Sequence, residues 1–364
     1  MKSKISKFII TLIMLLVLAL FCFLGIILYN EFRSTDVVGQ VEEFVSNFTI
    51  EGKQVEQEII DVQLEEKETP LSPNHTSSNN NYFYNQLDDY SKIIYDKIDE
   101  NKENMRTGTY EISFENTFSD VLSKDNGDEL LGEYFQSAIE AYTYDNPDVF
   151  YIDFSKLYLN IETTTRGTNE TYRVFLNAGQ EPNYLENGFD SKENVELALD
   201  EVEKVKEYFI QNKTGDVYYD IKIIHDYLVD SIEYDETLSE SNIYDIYGAL
   251  VNKKSVCEGY ARAFKYLLDS IDIPCVMVSG LGTNSEGITE NHAWNYVQIN
   301  DVWYAVDCTW DDPLLIGGGI LTNSLKYQYF LKGQNEFNSN HIPNGQFTEN
   351  GKVFEFPQLN MDNY

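Results

Sequence analysis

The chain has 364 residues, enough for two domains of ordinary size, and a normal hydrophobic share of 42%. Its 26 basic and 61 acidic residues give a formal net charge of −35. Such a surface repels nucleic acid and anionic lipid, which excludes DNA and RNA as partners.

The N-terminus speaks to location. Lys2, Lys4 and Lys7 precede a run from Phe8 to Tyr29 without one charged side chain. At 1.5 Å per residue, roughly 22 helical residues reach about 33 Å, the thickness of a bilayer core. No small-x-small cleavage site follows, so the run predicts an uncleaved signal anchor within residues 1–30. The lysines mark the cytoplasmic side. The expected location is therefore the cell membrane, single-pass, with the C-terminal domains extracellular.

Residues 31–81 read as a polar, disordered stalk, with Ser77-Ser78-Asn79-Asn80-Asn81 at its far end. Residues 82–215 read as an α+β accessory domain. Helical spacing runs from Leu87 to about Glu103 and again from Glu129 to Tyr142, and a helix capped by Ser191 reaches about Gln211. Strands are predicted over Tyr110–Phe114, Val149–Ile161 and Thr171–Leu176. The aromatic residues of this stretch read as core, and the sequence assigns it no chemistry.

Residues 216–364 read as the catalytic domain. A helix covers Asp216–Ile232 and contains His225, which reads as a packing residue. A short helix follows over Tyr244–Asn252, with Asn252 as its left-handed end. The central helix covers Ser255–Ser270 and stops at Ile273-Pro274. Three strands follow, over Cys275–Ser279, Ala293–Ile299 and Val302–Thr309. Asn300-Asp301 makes the last two a tight hairpin. Gly280–Asn291 reads as a mobile loop.

Chemistry concentrates at Cys257, His292 and Asp307. Cys257 opens the central helix, where unsatisfied amides favour a thiolate. His292 opens a strand and can project from the sheet edge toward that helix end. The hairpin register sets residues 292 and 309 opposite each other, which brings Asp307 within reach of the imidazole. Cysteine, imidazole and carboxylate in that arrangement are the parts of a thiol-nucleophile triad. Cys257, Cys275 and Cys308 are the cysteines beyond the anchor, an odd number, so a disulfide framework is not what this chain uses. No Cys-x-x-Cys pair suggests redox work, and no His, Cys or carboxylate spacing suggests a metal or a cofactor.

These segments resemble the transglutaminase-like superfamily in its bacterial, extracellular branch. The resemblance rests on Tyr247-Gly248-Ala249-Leu250, Val256-Cys257-Glu258-Gly259-Tyr260-Ala261, Ile273-Pro274 with Val276-Met277-Val278-Ser279-Gly280, His292-Ala293-Trp294-Asn295, and Val306-Asp307-Cys308-Thr309-Trp310-Asp311-Asp312-Pro313. It spans residues 220–313, about a quarter of the chain. It implies a papain-like α+β core, a catalytic helix packed on an antiparallel sheet. It also implies Cys257 as nucleophile, His292 as general base and acid, and Asp307 as the orienting carboxylate. Protein-crosslinking members carry Gly-Gln before the cysteine and Trp after it. Here Ser255-Val256 and Glu258 stand there, so hydrolysis and amine transfer are equally open. The Cys257 N–H is one expected oxyanion donor; Tyr234 and Trp294 are candidates for further oxyanion or substrate contacts. The expected function is an extracellular acyltransferase or hydrolase acting on peptide or isopeptide amides at the cell surface or in the cell wall. The alternative is a catalytically silent binding or scaffolding module of the same fold.

Overall fold

Helix boundaries follow the side chains that satisfy the first free amides. The computed structural model describes residues 37–46, 81–166, 168–312, 323–348 and 351–364. The expected span Phe8–Tyr29 and most of the expected stalk lie outside them. Among the described residues no helix is long and apolar enough to cross a membrane.

Part of the expected stalk is structured. Residues 37–46 form a helix, α1. Its Val37 and Val41 are buried in the main core, Phe44 packs edge-on against Tyr208, and Gln40 accepts a hydrogen bond from the Tyr208 hydroxyl at 3.1 Å. A tether with few apolar residues stays unfolded because it cannot bury enough surface; two valines against an existing core remove that obstacle here.

Helix α2 (Asp89–Met105) is capped by Asp88, whose carboxylate accepts from the amides of Tyr90 and Ser91. Helix α3 (Gly127–Asp145) packs against it. A three-stranded antiparallel sheet in the order β1 (Ile112–Glu115), β3 (Asn169–Asn177), β2 (Tyr158–Arg166) follows. The strand expected over Val149–Ile161 begins only at Tyr158; before it Phe154–Lys156 is a 3-10 turn and Phe150, Tyr151 and Ile152 are buried without a ladder. Their aromatic and branched side chains serve core packing rather than strand pairing. Helix α4 (Lys192–Asn212) starts at Ser191, whose side chain accepts from the Asn194 amide, and buries Val195, Ala198, Val202, Val205 and Phe209. Helix α5 (Val217–Ser231) is capped in the same way by Asp216.

One buried cluster runs from Val37 through Ile94, Val202 and Leu228 to Cys308. The expected boundary at 215/216 thus crosses a continuous core. The two-residue strands β4 (Glu233–Tyr234) and β5 (Lys254–Ser255) pair in parallel. Between them a π-helical turn covers Gly248–Asn252, and the left-handed residue that ends it is Lys253, one position after the asparagine expected there. The central helix α6 (Cys257–Asp269) follows directly.

Helix α6 packs on a four-stranded antiparallel sheet in the order β8 (Val302–Val306), β7 (Thr289–Ile299), β6 (Cys275–Thr283), β9 (His341–Pro343). The β7–β8 hairpin turns at Asn300-Asp301, both at positive φ (52° and 62°), as a two-residue turn of that twist requires. Three expectations change. Strands β6 and β7 run on to Thr283 and back to Thr289, through most of the segment read as a loop, with Gly280 paired to His292. Strand β8 stops at Val306, and the chain turns at Asp307 rather than running on to Thr309. A fourth strand, β9, joins the far edge of β6.

Candidate active site

Cys257 is the first residue of α6. Its N-cap, Val256, offers no side-chain cap to the first amides. The approach to the helix is fixed by contact. A Cβ on Gly259 would stand 1.9 Å from Ser255 Oγ and 2.8 Å from the Ile243 carbonyl. Ser255 Oγ donates to that carbonyl at 2.8 Å, so the 243–245 loop lies directly against the helix start. Glycine two residues after the cysteine is what permits this approach. Cys257 itself is half-buried, packed against Ala261, Met277 and Ala293.

His292 lies on β7 and Asp307 just after β8, so the neighbouring strands bring the two together. His292 Nε2 and Asp307 Oδ2 are 2.7 Å apart, with the carboxylate fully buried. Burial alone would lower the His292 pKa. The Asp307 carboxylate outweighs it, a side-chain hydrogen bond with Cys257 adds to the effect, and the pKa is raised to about 10. Burial also works against ionised Asp307, but His292 and then His341 hold its pKa far below the usual carboxylate range. Trp310 stacks on the His292 ring at 4.8 Å and 21°. A Cβ on Gly282 would meet both Trp310 and His292 Cβ, so that glycine leaves the room for the stack.

The structure thus assembles Cys257, His292 and Asp307. Tyr234 joins them from the side. Its strand pairs with β5 so that Tyr234 lies opposite Ser255, two residues before the cysteine. Burial first, then the charge of Cys257, push the Tyr234 phenol well above its ordinary value, which keeps it a hydrogen-bond donor. Trp294 lies behind them, its ring 5.9 Å from that of His292. It is 1% exposed, within a cluster with Val278, Tyr296, Ala305, Phe337 and Leu359, so it forms the buried wall of the site. Cys275 and Cys308 are free and buried, and burial raises both thiols. His225 is fully buried in α5, with its ring nitrogens 3.2 Å from Asp226 and 3.1 Å from Asp311.

Two contributors were not foreseen. His341, on β9, is fully buried and its Nε2 lies 3.1 Å from the same Asp307 oxygen that His292 uses. A three-residue strand shows no period, so no sequence signal marks it. Tyr144, at the end of α3, packs from the accessory region against the same cluster of Ala261, Met277 and Ala293 that Cys257 packs against, and stacks on Phe347 at 4.0 Å. The approach is fixed by Arg262 of α6, which donates to the Thr143 carbonyl at 2.9 Å.

His292, Asp307 and His341 offer ligand atoms within 4.8 Å of one another, the set among the described residues that could meet on a metal ion. Two ligands about 2.0–2.1 Å from a tetrahedral zinc stand about 3.3 Å apart. The 2.7 Å between His292 and Asp307 is instead the length of a charge-assisted hydrogen bond.

Residues 203–308 match the transglutaminase-like superfamily. The match begins inside α4 and ends at Cys308, so it takes in Cys257, His292 and Asp307 and stops short of His341. Among solved structures, the crystal structure of a TGase is 17% identical over 48% of this chain and 49% of its own, with a TM-score of 0.29. A protein from Cytophaga hutchinsonii described as a candidate cysteine protease is 16% identical over 45% of this chain and 70% of its own, with a TM-score of 0.27. The matched part of that TGase is about half its length. No curated protein sequence matches. By the superfamily match, residues 203–308 form a transglutaminase-like domain.

Proposed function

We propose that the protein is a thiol-dependent enzyme that attacks peptide or isopeptide amides through Cys257. The observation that carries this reading is the His292–Asp307 hydrogen bond of 2.7 Å, with Cys257 acting on the same imidazole. An imidazolium beside a thiol at a helix start favours the thiolate.

The Cys257 sulfur attacks the amide carbonyl and forms a C–S bond. The Cys257 amide and the Tyr234 hydroxyl are the donors at hand for the oxyanion. His292 gives its proton to the departing nitrogen as the C–N bond breaks, which leaves a thioester. Water or an amine then attacks that thioester, His292 takes the proton of the incoming group, and the thiolate leaves. Water yields an acid and amine yields a new amide. Asp307 orients the ring throughout and stabilises its charged form.

The substrate in this reading is a peptide or protein at the cell surface or in the cell wall. The charge-free run from Phe8 to Tyr29 supports anchoring in the membrane with the site outside. The test incubates the full-length protein with a peptide library and a labelled amine, beside Cys257→Ala. Mass spectrometry should show cleavage or amine incorporation that the variant lacks. A protein that binds peptides and alters none would instead be the silent module.

A further inference from the structure

We infer that His341 is a positioning residue for this site: it donates from Nε2 to Asp307 Oδ2 and shares that oxygen with His292. The inference rests on the proposed reading for its use in catalysis and on geometry alone for its existence. Asp307 has four partners. Oδ1 accepts from the amides of Thr309 and Trp310 at 3.0 and 3.1 Å. Oδ2 meets His292 Nε2 at 2.7 Å and His341 Nε2 at 3.1 Å. Backbone from the turn fixes one oxygen, and two imidazoles from strands on either side of β6 fix the other. With both oxygens held, the carboxylate has no free rotation.

His341 is locked as firmly. Its ring stacks on Phe337 at 4.0 Å and 20°, with Trp310 at 4.4 Å and Trp294 at 5.0 Å around it. The charged groups that face it are Asp307 and His292, with the Tyr329 ring at 5.4 Å. Burial, and then the His292 charge, disfavour a second proton on it, although Asp307 works the other way. An ionised carboxylate only accepts, so the nitrogen that faces Asp307, Nε2, is the one that carries a proton. The other ring nitrogen, Nδ1, stands 2.9 Å from the Asn340 side-chain oxygen, and the ring also bonds the Phe337 backbone.

The consequence is electrostatic as well as geometric. A carboxylate oxygen that accepts two N–H donors holds less charge for either. His341 thus moderates the grip of Asp307 on the His292 proton, which must be released to the leaving group and retaken in each cycle. A ring that only filled space would have no such effect.

Full-length protein labelled with 15N-histidine contains four imidazoles, so His292 can be followed by NMR through a pH titration. His341→Phe keeps the stack and loses the donor; His341→Gln keeps an N–H and loses the stack. In His341→Phe the His292 titration should move upward by about one pH unit, within the range of a changed neighbouring charge. In His341→Gln it should stay near the wild-type position, even where the melting temperature falls. If phenylalanine does not fold, His341→Leu is read in the same way. An unmoved His292 titration in the donor-free variant, or a glutamine variant that shifts as far as that one, overturns the inference. Neither result depends on turnover, so failure here is distinct from failure of the enzymatic reading, which the Cys257→Ala comparison decides.

Discussion

His292 and His225 each meet a buried carboxylate of the same turn, Asp307 at 2.7 Å and Asp311 at 3.1 Å. Their surroundings differ in one respect that decides what each can do. His225 has both ring nitrogens engaged by carboxylates, Asp311 on one side and Asp226 on the other. Asp226 is in turn held by Lys222 and by the Tyr327 hydroxyl. That imidazole is a bolt between α5 and the turn. His292 commits one nitrogen to Asp307 and turns the rest of its ring to a half-buried thiol. A buried His–Asp pair thus says nothing of chemistry by itself; what sets His292 apart is a nitrogen to spare beside a thiol. The carboxylates differ as well. Asp307 has three donors left if His292 is removed, whereas Asp311 keeps the Tyr329 amide.

The largest separation between the two pairs should come from removing each imidazole. His292→Ala should reduce turnover on any amide substrate by on the order of 10²–10⁴-fold and slow iodoacetamide labelling of Cys257 near pH 6.5. Measured near pH 10, its stability should change little, because the wild-type ring has by then lost most of its charge and Asp307 remains bonded. His225→Ala should do the reverse: a loss of about 3–5 kcal/mol in urea unfolding, from buried carboxylates left without their imidazole, with Cys257 in the folded fraction labelled at the wild-type rate. Equal labelling losses in the two variants would break the comparison.

Asp307→Asn should damage labelling and turnover less than His292→Ala, by roughly tenfold, because the carboxylate acts through the imidazole and touches neither sulfur nor substrate. A loss as large as that of His292→Ala would instead give Asp307 a direct part in the chemistry.

The pH dependence of folding sharpens the contrast further. An unfolded histidine titrates near 6.5, and in the folded protein the His292 pKa is raised to about 10. The stability it contributes is therefore fully present below pH 6.5 and is lost as pH rises toward 10. Urea midpoints measured at pH 7 and pH 9.5 should fall further for the wild type than for His292→Ala. If the two fall in parallel, the charge of His292 is not what the fold stabilises.

The smallest effect belongs to the ring above His292. Trp310 stacks on it at 4.8 Å, and an aromatic contact of this kind is worth about 0.5–1.5 kcal/mol. Trp310→Leu should then slow Cys257 labelling by only about two- to tenfold. No change would reduce Trp310 to a cover.

The legible parts of this fold were those whose signals are local. Asn300-Asp301 can take positive φ, and it does, which set the β7–β8 register and with it the approach of Asp307 to His292. Ser191 caps the helix it is expected to cap, and the helix expected from Asp216 starts one residue later with Asp216 as its cap. The parts that escaped depended on distant partners. Gly280 and Gly282 suggested a mobile loop, yet they sit inside β6. Side chains there would strike Ile342, Trp294, Trp310 and His292. Val37 and Val41 fall in the segment read as a polar stalk, and the core they join is assembled from segments far along the chain. Tyr144 gained its place against the Ala261, Met277 and Ala293 cluster from the same kind of long-range packing.

Strand β9 has a consequence in the order of synthesis. A chain made from its N-terminus carries Cys257, His292 and Asp307 well before residues 341–343 exist. Until they arrive, the outer edge of β6 has no partner and Asp307 has only one imidazole. A premature stop or a proteolytic cut ahead of His341 would remove an edge strand and a carboxylate partner together. Such a fragment would keep all three residues of the site and lack the part that sets them.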